Sequence, residues 1–213
     1  MSSQDPHAGQ PVLHAGPPIE EARIVAIMLH GRGASAEDIL GLASEFAARD
    51  VAYLAPQAAN RTWYSNSFLA PIPQNEPGLS SALRIIEGLV QTLQQQIPSS
   101  RIALMGFSQG ACLTLEFSAR HAQRYAVIAG FSGGVIGPPG TPRDYAGAFD
   151  GTPVFLGCSD VDPHIPLDRV NESADLFARM GARVDKRIYK GMAHTIIAAE
   201  IDAVDALLTS TKT

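Results

Sequence analysis

The run Gly106-Phe107-Ser108-Gln109-Gly110 sets a serine between two glycines in the pattern G-x-S-x-G. It follows the apolar run Ile102–Phe107 and precedes a segment of helical period, so the serine stands on a strand-to-helix turn. Small residues at 106 and 110 let that turn be sharp enough to hold the hydroxyl out. The helix that follows aims its N-terminal amides at the same spot. An ordinary glycine-rich turn can carry the same string; the strand before it and the helix after it favour a nucleophile.

A serine hydroxyl attacks poorly until a base, itself oriented by an acid, takes its proton. On a turn of this kind the chain order is serine, acid, histidine. Of the six histidines, His7, His14 and His30 precede the serine and His121 ends its own helical segment. His194 follows the run Arg183–Tyr189 in the loop Lys190-Gly191-Met192-Ala193, just before the last helical segment. It is the expected base, and His164 the expected loop residue. After the apolar run 154–157 stand Asp160 and Asp162. Pro163 and Pro166 stiffen the turn behind Asp162, which suits a carboxylate that must hold an imidazole in one tautomer. Asp162 is therefore the expected acid and Asp160 a turn former or supporting group.

A developing oxyanion needs two amides. Gln109 supplies one, as the residue after the serine; Arg32, in His30-Gly31-Arg32-Gly33 after the strand Ile24–Leu29, supplies the other. The role is a backbone one, which leaves the Arg32 side chain free for a carboxylate. The same loop, Gly31-Arg32-Gly33-Ala34-Ser35-Ala36, also fits the dinucleotide pattern G-x-G-x-x-A. That pattern requires an acid at the end of the second strand, where Pro56-Gln57 stands instead, and Asp50 lies at the wrong end. No His/Asp/Glu group has metal-ligand spacing, and neither metal nor cofactor is expected.

The elements that must position these residues alternate. Apolar runs of strand length occur at 24–29, 51–55, 102–107, 125–131 and 154–157, with a mixed run at 183–189. Between them, Leu83, Ile86, Val90, Leu93 and Ile97 mark one buried helical stripe, which Ser80 or Ser81 can cap and Pro98 ends. Ser35 and Asp38 read as the cap of a helix through Arg49. Further helices are expected over 109–121, 167–180 and 196–208. Strand and helix in alternation predict an α/β protein, a mostly parallel sheet with helices on both faces and a site at the strands' carboxyl ends. Residues 1–20 read as a flexible arm with a short edge strand near 11–15, and 21–213 as a single domain. Residues 56–78 form the one long irregular connection, and it carries Trp63, Tyr64, Phe68 and Leu69. All four are substrate-binding candidates; any one of them can instead pin the loop to the core, and one or two, with the Arg32 side chain, are expected to line an apolar pocket with one cation at its rim.

Composition narrows the class. At 213 residues the chain can bury a core without disulfides or metals. Its net charge of −5 and its lack of a basic stripe exclude the usual footprint of a nucleic-acid binder. Its 46% hydrophobic content excludes disorder. Two cysteines, Cys112 and Cys158, make neither a disulfide framework nor a zinc site. The opening Met-Ser-Ser-Gln-Asp-Pro-His has no signal-peptide character, and no apolar run reaches the length of a membrane span. A cytoplasmic protein is expected.

The segment Ile97-Pro98-Ser99-Ser100-Arg101-Ile102 leading into Gly106-Phe107-Ser108-Gln109-Gly110 resembles the phospholipase/carboxylesterase family of α/β-hydrolases, which includes acyl-protein thioesterases. So do Leu29-His30-Gly31, Asp162-Pro163-His164-Ile165-Pro166 and Tyr189-Lys190-Gly191-Met192-Ala193-His194, in order over residues 24–208. The resemblance implies an α/β-hydrolase fold without a large lid. It implies Ser108, Asp162 and His194 as a triad, the Arg32 and Gln109 amides as oxyanion hole, no cofactor, and often a homodimer. Thioesterase-like members usually carry an apolar residue where Arg32 stands, and their equivalent of 56–78 differs. The expectation is a serine carboxylesterase acting on small acyl or aromatic esters. The alternatives are an acyl-protein thioesterase or lysophospholipase, and a non-catalytic binding protein on the same fold.

Overall fold

A computed structural model describes residues 5–211; residues 1–4 of the expected arm, and 212–213, lie outside them. Seven strands form one sheet in the order β1-β3-β2-β4-β5-β6-β7. They are β1 Val12–Ala15, β2 Ile24–Leu29, β3 Val51–Pro56, β4 Ile102–Phe107, β5 Val127–Phe131, β6 Pro153–Ser159 and β7 Arg183–Tyr189. All neighbours are parallel except β1 on β3, where Val12 faces Pro56.

Period-two alternation explains why the inner strands are apolar throughout. Val25, Ile27 and Leu29 of β2 join one core layer, while Ile24, Ala26 and Met28 join the other. The first layer is completed by α2 Gly78–Gln94, α3 Gln109–Arg120 and α4 Leu167–Arg179, the second by α1 Ala36–Leu40 and α5 Ala198–Ser210. The stripe on α2 lies as its spacing predicts, with Leu83, Ile86, Val90 and Leu93 buried. Each such side chain contributes about 1.5–3 kcal/mol. At the exposed edge, β7 carries Arg183, Asp185, Lys186 and Arg187, charges that discourage pairing with another chain.

Two helix ends depart from the sequence expectation. The helix capped by Ser35 and Asp38 stops at Leu40 and tightens into a 3-10 turn over Gly41–Ser44 rather than continuing to Arg49. Gly41 is a poor helix former, and the chain then turns Phe46 into the core, stacked on Tyr53 with ring centroids 6.1 Å apart. Helix α2 starts before Ser80, behind Pro77; the Glu76 carboxylate accepts from the Ser80 amide at 3.1 Å and its hydroxyl at 2.7 Å.

The arm also differs from its expectation. From Asp5 onward it is strapped down: His7 is buried, its amide donates to Ser81 Oγ at 3.0 Å, and the Ser81 hydroxyl bonds Asp5. A histidine with both ring nitrogens engaged holds the arm where composition suggested a loose end. Among the described residues no helix is long and apolar enough to cross a membrane.

Candidate active site

The carboxyl ends of β2, β3, β4, β6 and β7 open on one edge of the sheet, and each delivers one of the residues singled out above. Ser108 sits at φ 54°, ψ −117°, between β4 and α3. A side chain there is strained, and the neighbours enforce it. A Cβ on Gly110 would collide with the Leu29 carbonyl, and one on Gly106 with the Gly110 carbonyl, so only glycine lets the turn close. The Ser108 amide is tied to Phe131 O at 2.9 Å.

His194 Nε2 lies 2.8 Å from Ser108 Oγ, and its Nδ1 lies 2.7 Å from Asp162 Oδ2. The Asp162 side chain is fully buried. Its other oxygen accepts the amides of His164 at 2.8 Å and Ile165 at 3.0 Å, the tight turn that Pro163 and Pro166 stiffen. Burial pushes the Asp162 pKa upward, but the hydrogen bonds from His194, His164 and Ile165 outweigh it and hold the carboxyl below its ordinary value. Ionised Asp162 therefore accepts a hydrogen bond from Nδ1–H, which keeps the proton on Nδ1 and leaves Nε2 bare toward the serine. The Cys158 thiol, 3.8 Å from Asp162 Oδ2, is pushed up to about 12 by burial and stays protonated beside the carboxylate. Asp160 takes a different place: it accepts the Gly191 amide at 2.7 Å and so anchors the turn that carries His194. The His194 ring lies between Phe107, tilted at 5.0 Å, and His164, edge-on at 4.8 Å.

On the opposite side, a Cβ on Gly31 would lie 3.5 Å from Ser108 Cβ, which places the Gly31–Arg32 peptide against the serine. Among the described residues, neither the Arg32 nor the Gln109 backbone amide donates to a protein acceptor. His30 fixes this peptide. The Ala58 amide donates to His30 Nε2 at 3.1 Å, so the proton sits on Nδ1, which donates to Gly31 O at 2.8 Å. In a trans peptide that carbonyl and the Arg32 N–H point oppositely, so the imidazole sets where the N–H aims. Gly33 N, bonded to Arg61 O at 2.7 Å, closes the loop.

A cavity of about 480 Å³ opens over Ser108 and His194, walled by Arg32, Tyr64, Phe68, Cys112, His164 and Ile165. The four loop aromatics and aliphatics thus divide. Tyr64 and Phe68 line the cavity; Trp63 and Leu69 are not in its wall. Trp63 is fully buried, donates to His30 O at 2.9 Å and packs on His30 and His7, anchoring the loop. The Arg32 guanidinium is exposed at the rim, 6.0 Å from the Tyr64 ring, donating to Ser65 O at 2.9 Å and Asn66 O at 2.7 Å. Three contributors escaped the sequence, the His30 imidazole among them. The Gln109 side chain, besides its backbone position, accepts from Trp63 N at 3.0 Å and donates to Tyr64 O at 2.8 Å. His7 accepts from Ala59 N at 3.1 Å and lies 2.9 Å from Trp63 O. For His30, its place directly after a strand and before Gly31 was the available signal; for His7 there was none.

A mostly parallel sheet with helices on both faces, and a serine on the sharp turn after β4, define the α/β-hydrolase architecture. A family model described as phospholipase/carboxylesterase matches residues 14–212, and the chain belongs to that family. The crystal structure of a phospholipase/carboxylesterase from Dyadobacter fermentans is similar at a TM-score of 0.91 and 41% identity, over 95% of this chain and 97% of that one. Acyl-protein thioesterase 1 of Gibberella zeae is 29% identical over 139 residues, 63% of this chain and 59% of its own length. The Nocardia uniformis protein NocK, described as an esterase, is 28% identical over 165 residues, 73% of this chain and 46% of its own. The chain spans about half the length of these two curated relatives.

Proposed function

We propose that this protein is a serine carboxylesterase that cleaves small acyl or aromatic esters through an acyl-enzyme. The observation that carries this is the unbroken hydrogen-bond chain from Ser108 Oγ through His194 to the buried Asp162 carboxylate. Ser108 Oγ attacks the ester carbonyl as His194 Nε2 takes its proton; Asp162 stabilises the imidazolium. The tetrahedral oxyanion rests on the Arg32 and Gln109 amides, each worth about 10²–10³ in rate. His194 then gives its proton to the leaving alcohol, and water repeats the sequence to release the acid and restore the serine.

The cavity supports small, flat or short acyl groups between Tyr64, Phe68 and Ile165, with Arg32 suited to an acidic group on the acyl part. Cys112 and Cys158 are both unpaired buried thiols, which suits a reducing, cytoplasmic setting.

Labelling by a fluorophosphonate probe, lost in Ser108→Ala, is the expected result; an unlabelled wild type, or equal labelling of both, overturns the proposal. A p-nitrophenyl ester series then sets acyl length, with kcat/KM expected to peak at short chains. Arg32→Ala should penalise an anionic acyl ester selectively, by about 1–3 kcal/mol. A maximum at palmitoyl length, or faster turnover of palmitoyl thioesters, would favour the thioesterase activity named for the fungal relative.

A further inference from the structure

A second cavity, of about 350 Å³, opens beside His194. It shares Gly31, Ala34, Phe107 and His194 with the first, so the two adjoin at the catalytic histidine. They differ in what else they hold. Ser108, Gln109 and Cys112 line only the first; Ile39, Leu42, Thr195 and Ile196 line only the second. An ester has two arms, and an enzyme that splits it must place both.

The proton path decides which arm goes where. His194 Nε2 must reach the leaving oxygen to protonate it as the C–O bond breaks, so the carbon beyond that oxygen runs along the imidazole. The acyl carbon, bonded to Ser108 Oγ and facing the Gln109 amide, stays on the side where those residues line the wall. From this we propose that the second cavity is the binding site for the alcohol part of the ester, and that it takes an unbranched or aryl hydrocarbon alcohol bearing no negative charge. The assignment rests on the serine-esterase mechanism above and specifies its leaving group.

The chemistry of the wall sets the class. Ile39, Leu42, Ile196 and Phe107 give it an apolar surface; Leu42 and Ile196 are only half-buried, packed on the core from one side. Among the described residues its wall holds one acid, Asp38, whose Oδ2 accepts from the Ser35 amide at 2.7 Å and hydroxyl at 2.9 Å. Those bonds hold the Asp38 carboxyl below its ordinary value, so the charge is fixed. Arg61 also acts on Asp38 but is not part of the cavity wall. The two arms thus meet opposite signs, Arg32 beside the acyl cavity and Asp38 beside the alcohol cavity. An ester carrying its carboxylate on the acyl part fits this polarity; one carrying it on the alcohol does not.

Acetates of ethanol, butanol and hexanol test the site, because these alcohols are of nearly equal acidity and differ in length. We expect kcat/KM to rise roughly threefold per methylene until the cavity is filled. Leu42→Trp, which fills it, should flatten that series and cut hexyl acetate relative to ethyl acetate at least tenfold, while the order of the ethyl esters of acetic, butyric and hexanoic acids is unmoved. Leu42→Ala should extend the preference to longer alcohols. Asp38→Asn should raise 4-acetoxybenzoate relative to phenyl acetate several-fold. If the enzyme is labelled at Ser108 and cleaves these esters with no alcohol preference, or if Leu42→Trp alters acyl order instead, the cavity is misassigned and the serine mechanism stands. Absence of both labelling and hydrolysis overturns the mechanism and the cavity with it.

Discussion

The two flanks of Ser108 are braced by opposite means. On the side of β6 and β7 the anchors are acidic side chains: the carboxylates Asp162 on His194 and two amides and Asp160 on Gly191, and the Glu200 carboxyl on Ile197 N at 3.1 Å. On the side of β2 and β3 they are neutral: the imidazoles of His7 and His30, and the amide groups of Gln109 and Gln57. Burial holds both of those imidazoles below their ordinary value of 6.5, and so uncharged. In the proposed mechanism one flank gains a positive charge on His194 and the other must point bare amides at a negative one. Fixed carboxylates favour the first. Neutral rings, each donating through one nitrogen and accepting through the other, aim the second without competing for the oxyanion.

The largest effect should come from breaking the charged flank at its centre. Asp162→Asn leaves the shape but offers His194 the wrong tautomer, and kcat should fall by about 10⁴. Asp160→Asn, which disturbs only the Gly191 turn, should lose far less. Steady-state kinetics on the two folded variants checks this, and the reverse ranking would move the acid to Asp160.

The neutral flank should break more gently. His30→Phe keeps the volume and the stacking on Trp63 but frees the Gly31 carbonyl. The expected loss is about 10–10² in kcat with KM little changed, below the 10²–10³ seen for deleting an oxyanion donor outright. An equal rise in KM would show that His30 shapes the pocket rather than aiming the Arg32 amide.

Glu200 is the strained member of the charged flank. It is fully buried, its Oε1 has no hydrogen-bond partner among the described residues, and burial pushes its pKa up to about 7 from 4.5. As pH rises the unfolded chain loses this proton first, so the protein loses stability from about pH 4.5 up to about 7 and does not recover it above. Glu200→Gln keeps an acceptor for the Ile197 amide. Urea unfolding should find it more stable than wild type by about 2–3 kcal/mol at pH 8, and no more stable below pH 4.5. A pH-independent difference would mean that the carboxyl is not the source.

Apart from Glu200, the charged flank was legible in the sequence, and the neutral one largely was not. Asp162 and Asp160 lie a few residues past an apolar run and His194 past a mixed one, in turns marked by proline or glycine, and the chain order did the rest. Those are local signals. The strands of the interior were equally plain, because a strand buried on both faces shows as an unbroken apolar run. What holds the oxyanion loop depends on residues that meet only after folding: His7 with Trp63, 56 positions apart, and Gln109 with Trp63, 46 apart. Trp63 shows the limit well. An aromatic on a long loop can wall a pocket or pin the loop to the core, and its spacing is the same in both cases.

The smallest effect concerns that hidden brace. His7→Ala removes an acceptor for the Ala59 amide and a donor to the Trp63 carbonyl, at a cost of about 1–2 kcal/mol. Its pH dependence is the sharper test. Because the folded pKa values of His7 and His30 are depressed, the unfolded chain takes up their protons first as pH falls. Their contribution is whole above about pH 6.5 and is lost as pH drops through the folded values, opposite in slope to that of Glu200. Urea unfolding of the Glu200→Gln variant should therefore show stability declining from pH 7 to 5, and adding His7→Ala should make that decline shallower. An unchanged slope would mean that the imidazole of His7 is not held neutral by its burial.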